Sequence, residues 1–149
     1  MAAKYATDED IVARTILRES CENGRQDYDA MAWLIYNRIN AASREFGGAS
    51  PKLVCLKRNE FMAWKTFWGM ANVPPNPKSV SHTDYNYCLD LAKNIVAKRR
   101  PTNYHGDPTN KALFYVSDTL ENRKTYKDGL LIGGNLFLKN CNIFMRKNQ

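Results

Sequence analysis

Glu19 stands where the apolar face of a helix should continue. In the stretch TDEDIVARTILRESCE, Thr7 to Glu22, a step of about 100° per residue puts Val12, Thr15, Ile16 and Glu19 on one stripe, with Ile11 and Glu22 at its edge. Arg14 and Arg18 fall on the other side, which is expected to face solvent. A carboxyl held against apolar surface away from a strong cation has a raised pKa, so it can serve as a general acid near neutral pH. The competing reading is a glutamate at a fraying helix end, solvated or capping the next loop. Metal chemistry is not indicated. Cys21, Cys55, Cys88 and Cys141 are far apart, with no C-x-x-C pair and only His82 and His105 in support, so the ligand spacing of a zinc site is missing. Reduced, mostly buried thiols are expected, although their even number leaves a disulfide open. No metal and no organic cofactor is expected.

The helix that carries Glu19 is expected to run from Thr7 to Glu22. Thr7 followed by Asp10 resembles a capping box, and Asp8, Glu9 and Asp10 load negative charge onto the positive end of the helix dipole. Asn23-Gly24-Arg25 then reads as a turn, with Gly24 as the left-handed residue that ends the helix. A second helix, capped by Asp27 or Asp29, is expected to reach Ile39 or Ala42. Met31, Trp33, Leu34, Ile35 and Ile39 cover so much of its circumference that it should be central and buried, which leaves Asn37 and Arg38 as polar residues needing an explanation. Ser43 to Pro51 is a loop by composition. Between Lys52 and Trp68 short helices or irregular segments are expected. Phe61, Trp64, Phe67 and Trp68 read first as core and second as the walls of a sugar cleft, because flat aromatic faces suit pyranose rings.

Val73-Pro74-Pro75-Asn76-Pro77 reads as a rigid loop. A third long helix is expected from a capping box at Ser81 and Asp84 to Lys98, with Lys98, Arg99 and Arg100 complementing its C-terminal dipole. Asn103 to Asn110 is polar turn chemistry. Ala112 to Val116 reads as a buried strand, and Leu130–Ile132 with Leu136–Leu138 as a hairpin around Gly133-Gly134-Asn135. Helices first and a small antiparallel sheet in the C-terminal third make the fold class α+β.

A chain of 149 residues is the size of one domain around one core, so residues 1–149 are read as a single unit. Lys and Arg outnumber Asp and Glu by 22 to 15, giving a net charge of +7 and a pI near 9.3. That balance suits nucleic acid, anionic lipid or a bacterial wall, without choosing among them. The start MAAKYATDED lacks the apolar core of a secretory signal, and no run approaches the roughly 18 apolar residues of a membrane span. Synthesis in the cytoplasm and no membrane span are expected.

Read together, several segments resemble the SleB/CwlJ-type cell wall hydrolase family in order and spacing. The family's A-R-x-x-x-x-E-A-x-x-E segment is similar to Ala13 through Glu22, its N-R-V to Asn37-Arg38-Ile39, and its V-C followed by Q-F-x-x-W to Val54-Cys55 and Glu60 through Trp64. Its D-P-T before a strand resembles Asp107-Pro108-Thr109, and its I-G-x-H-x-F resembles Ile132 through Phe137. The likeness covers roughly residues 9 to 139. Glu60 stands where Gln is usual, Met62 where a small hydroxyl residue is common and Asn135 where His is common; these departures touch the sugar subsites and leave the acid of the first helix in place.

The resemblance implies a lysozyme-like fold and cleavage of the β-1,4 bond between N-acetylmuramic acid and N-acetylglucosamine, as a lytic transglycosylase with Glu19 acting as acid and then base. It implies Glu22, Asn37, Phe61, Trp64, Tyr115 and Asn135 as substrate-binding residues, with Arg38 helping Asn37 to orient the loop beside Glu19. The partner would be peptidoglycan glycan strands and the protein a monomer. With no export signal, a phage endolysin released by a holin, or a lysin carried on the virion, is the expected setting. A hydrolytic muramidase would need a second carboxylate, with Glu22, Asp107, Asp118 and Glu121 as candidates. The rival from another class is a basic nucleic-acid-binding module in which Glu19 is inert, but the chain has no recognisable nucleic-acid motif and its cations form no focused stripe.

Overall fold

The first helix begins on a side-chain cap: Thr7 Oγ1 accepts the Asp10 amide at 3.1 Å. In the computed structural model, which describes residues 7–20, 24–57, 60, 61, 64 and 82–140, this helix, α1, spans Asp8–Glu19. It ends three residues before the expected Glu22. Ser20 is the reason, because its Oγ donates to the Ile16 carbonyl at 2.7 Å while its backbone turns extended at φ −81°, ψ 126°. A hydroxyl that bonds back four residues competes with the helix ladder. Glu19 therefore occupies the last helical position, and Glu22 lies outside the described residues.

The second helix, α2, spans Arg25–Ala41. It starts from Gly24, which is extended (φ −117°, ψ 163°) rather than left-handed, so the expectation for that glycine is corrected. Asp27 and Asp29 do not cap it; both are buried inside the helix. The two acids serve tertiary contacts instead, Asp27 against the sheet turn and Asp29 in a cluster described below. The short α3, Pro51–Leu56, is capped by Ser50, and α4 runs over His82–Val96. Ser81, half of the expected capping box, lies outside the described residues. The helix stops before Lys98, which takes a left-handed φ of 60° as the Arg99 amide donates back to the Asn94 carbonyl at 2.8 Å.

α1 packs against α4, α3 and α2, so it is covered on nearly all sides. That covering corrects the reading of Arg14, which is 8 % exposed. Its Nη2 lies 2.9 Å from Asp10 Oδ2, and Asp10 in turn accepts the Tyr85 hydroxyl of α4 at 2.5 Å. Arg18 alone of the two arginines faces solvent. The shared core joins Val12 and Ile16 of α1, Met31 and Leu34 of α2, and Cys88 and Ile95 of α4.

The sheet has strands β1, Phe114–Ser117, β2, Leu130–Ile132, and β3, Asn135–Leu138, in the order β1-β3-β2 and antiparallel throughout. A short helix α5, Leu120–Thr125, which buries no residue and so has no apolar stripe to mark it in the sequence, lies between β1 and β2 in the chain. β1 begins two residues later than expected and is half-buried rather than buried. The hairpin turns on Gly133 and Gly134, with Ile132 opposite Asn135. Gly133 has φ 59°, and a Cβ there would fall 1.3 Å from Asp27 Oδ1, so close approach and backbone conformation both require glycine. The architecture is α+β. Among the described residues no helix is long and apolar enough to cross a membrane.

Candidate functional site

Because α1 ends at Glu19, its last turn delivers the carboxyl to the mouth of the sheet rather than to a solvated tail. Glu19 is 7 % exposed. Its side chain shares a hydrogen bond with the Tyr115 hydroxyl of β1. The phenol's pKa is raised, first by burial and then by the negative charge of Glu19, with the Arg38 guanidinium opposing; Tyr115 therefore stays protonated as a donor throughout the neutral range.

Tyr115 is held by its neighbours on both sides. Its ring stacks on Phe61 (centroids 6.0 Å apart, 20° between planes) and on Phe137 of β3 (6.5 Å, 29°). Phe61 is fully buried, which favours the core reading for that ring. Trp64 is only partly buried, and its indole Nε1–H donates to Thr15 Oγ1 at 2.9 Å. Thr15 lies one helical turn before Glu19 on the same face, so the tryptophan is fixed beside the acid. Phe67 and Trp68 lie outside the described residues.

Asn135 is buried, and its Nδ2 donates to the backbone carbonyl of Glu19 at 3.1 Å. That carbonyl belongs to a helix end, where intrahelical donors run out. Asn135 thus pins the position of Glu19 through the main chain. Asn37 acts at one remove: its Nδ2 donates to Asp107 Oδ2 at 2.9 Å and to the Ala112 carbonyl at 3.1 Å, which fixes the chain entering β1. Of the predicted residues, Glu19, Phe61, Trp64, Tyr115 and Asn135 are brought together, while Asn37 supports the strand that carries Tyr115.

Arg38 links the parts. It is 2 % exposed; Nε donates to the Leu113 carbonyl at 2.7 Å, and Nη1 lies 3.2 Å from Glu60 Oε2. Its guanidinium carbon sits 4.6 Å from the Phe46 ring centre and 5.2 Å from that of Phe61. One side chain therefore ties α2 to the Glu60–Phe61 segment and to the start of β1. Burial lowers its pKa, and Glu60 works against that.

A second polar cluster has no local signature in the sequence. Asp29 of α2 is 5 % exposed. Its Oδ1 accepts the Tyr87 hydroxyl at 2.6 Å, and its Oδ2 accepts the Tyr104 hydroxyl at 2.6 Å, with His105 Nε2 at 3.3 Å. His105 Nδ1 faces the Gly106 carbonyl oxygen at 2.6 Å. Acceptors at both ring nitrogens favour the imidazolium, and the His105 pKa is raised, by the Gly106 carbonyl first and by Asp29, with burial and Arg100 opposing. The one sequence cue is an aspartate in a largely apolar helix, which reads as a cap.

Cys55 and Cys88 are free and buried. Burial pushes the Cys55 thiol up to about 12 and the Cys88 thiol higher still, which leaves both inert as nucleophiles. Cys21 and Cys141 lie outside the described residues. Comparison of the chain with family models, with curated proteins and with solved structures gives no match in any of the three.

Proposed function

We propose that this protein cleaves the β-1,4 bond between N-acetylmuramic acid and N-acetylglucosamine in the bacterial cell wall, as a lytic transglycosylase of lysozyme-like architecture. The observation that carries the reading is a single carboxyl, that of Glu19, nearly out of water at a helix end and hydrogen-bonded to a phenol whose ring is locked in an aromatic stack. Burial disfavours the charged form of an acid and a phenol donor favours it, so the two effects oppose each other at a group that must hold and release a proton in turn. The protonated Glu19 gives its proton to the glycosidic oxygen as the C1–O bond breaks and positive charge develops on the muramyl ring. The carboxylate so formed then takes the proton of the muramyl C6 hydroxyl as that oxygen bonds to C1. The product is a 1,6-anhydro sugar, and Glu19 ends protonated, ready for another turn.

Tyr115 keeps the carboxyl aimed through both halves of this cycle, and Asn135 fixes the main chain behind it. Trp64, half-buried beside Thr15, supplies an aromatic face for a sugar ring. A net charge of +7 suits an anionic wall. The hydrolytic alternative needs a second carboxylate roughly 5 to 9.5 Å from the first. Asp107 is committed to Asn37, Thr109 and the Lys111 amide, and Asp118 is paired with Arg123. Glu60, whose charge reaches the Tyr115 phenol, is likewise paired, with Arg38, so hydrolysis through it would have to give up that pair. Clearing of a peptidoglycan suspension by wild type but not by Glu19→Gln is the expected result; equal clearing by both would remove Glu19 from the chemistry. A Glu60→Gln protein that still clears at a similar rate supports the single-acid route.

A further inference from the structure

A cavity of about 710 Å³ opens beside the first turn of α2, lined by Arg25, Gln26, Asp29, Tyr87, Tyr104 and His105 among others. That volume lies within the range of pockets that hold small molecules and short peptides. Its two carboxylates are already engaged. Both oxygens of Asp29 are engaged by Tyr87, Tyr104 and His105, and both oxygens of Asp107, the other acid on its wall, are taken by Asn37, Thr109 and the Lys111 amide. The Arg25 guanidinium lies 4.9 Å from the Tyr87 ring centre and, among the described residues, makes no hydrogen bond or ion pair; the Gln26 side chain is exposed.

A guanidinium without an ion pair, on a wall whose two carboxylates are already satisfied, selects a ligand that brings acceptors and negative charge. The planar fork of an arginine fits a carboxylate through two parallel hydrogen bonds. The Tyr104 ring, 68 % exposed, adds a flat apolar face next to it. We propose that this cavity is a second binding site, and that it takes the carboxylate-bearing peptide stem that hangs from the muramyl residue of peptidoglycan. The assignment of a stem, rather than of another carboxylate ligand, rests on the cell-wall reading of Glu19.

The two sites are close along the chain. Only six residue steps separate Glu19 from Arg25, so their Cα atoms are at most about 22 Å apart, and a four-residue stem spans up to about 14 Å on its own. Asp107 belongs to both regions, lining the cavity while holding Asn37 and hence the entry to β1.

The test uses the Glu19→Gln protein, in which nothing is cleaved, titrated with muramyl tripeptide, with an N-acetylglucosamine tetramer that lacks a carboxylate, and with glycerol phosphate. Ring signals of His105 and Tyr104 are followed by NMR, and affinity by calorimetry. The expected result is a shift of both rings with muramyl tripeptide alone, and binding weakened about tenfold or more by an added Arg25→Gln change. Unmoved rings at saturation, an affinity indifferent to Arg25→Gln, or the same shifts from the tetramer or from glycerol phosphate would overturn the proposal. Wild-type clearing of peptidoglycan is scored separately. Clearing without stem binding at these rings sinks the cavity assignment alone, whereas stem binding with the expected pattern and no clearing upholds the cavity and sinks the catalytic reading.

Discussion

Replacing Arg38 with Met tests whether one buried cation holds the candidate site together. The thioether fills much of the space of the side-chain stem but removes three things. It leaves the Leu113 carbonyl without its 2.7 Å donor and Glu60 without its 3.2 Å partner, and it empties the cationic position over Phe46 and Phe61. A hydrogen bond from a charged donor contributes about 1.5–3 kcal/mol. Breaking a fully buried pair costs about 3–5 kcal/mol, but the Glu60 side chain is 28 % exposed and water can take over, so about 1 kcal/mol is the fitting share. The stacking contributes about 0.5–1 kcal/mol more.

Partial repacking around Met offsets some of this, and the expected loss is about 3 kcal/mol, or about 6–12 °C in melting temperature for a domain of this size. Urea unfolding of the variant reads it directly, as a lower midpoint at unchanged slope. Glu60→Gln alone should cost about 1 kcal/mol, and the double variant should lose less than the sum of the two, since they share one interaction. A loss below about 1 kcal/mol for Arg38→Met, or strict additivity with Glu60→Gln, would refute the view that Arg38 is the joint between α2, the Glu60–Phe61 segment and β1.

Gly133→Ala meets both a left-handed backbone and the Asp27 carboxylate at 1.3 Å, so it should lower stability by more than about 2 kcal/mol; a melting curve that overlays the wild type would contradict the observed turn. The raised pKa of His105 places its imidazole titration above the ordinary value of about 6.5. The stabilisation that goes with it is fully present below that unfolded value and is lost as pH rises through the folded one. Asp29→Asn should move the NMR titration of His105 downward, and an unmoved midpoint would show that the Asp29 contact does not contribute. Trp64→Phe removes the indole donor to Thr15; a drop in turnover of a soluble glycan with little change in melting temperature is expected, and a change of stability without loss of turnover would make Trp64 a packing residue only.

The local parts of this molecule were legible in the chain. Thr7 does cap α1, the stripe through Val12, Ile16 and Glu19 does point inward, and the two-glycine turn does close a hairpin, because each depends on residues a few positions apart. The helix ends short of its apolar pattern because a single serine hydroxyl, bonding back to Ile16, outweighs it. Arg14 looked solvated because periodicity gives the faces of a helix but not how many neighbours will cover them. The Asp29 cluster was invisible for a related reason. Its partners Tyr87, Tyr104 and His105 lie 58, 75 and 76 residues away in sequence, and nothing local marks an aspartate as theirs. Arg38 stands out in the sequence as a polar residue needing an explanation, and the long-range contacts with Leu113 and Glu60 supply it.

The central claim is that Glu19 both gives and takes the proton when a muramyl bond is cut. Mass spectrometry of the fragments released from purified peptidoglycan measures it most directly. Wild type is expected to release 1,6-anhydromuramyl ends, lighter by one water than hydrolytic ends, and Glu19→Gln to release none. Anhydro or reducing ends in equal yield from the two proteins would contradict the account.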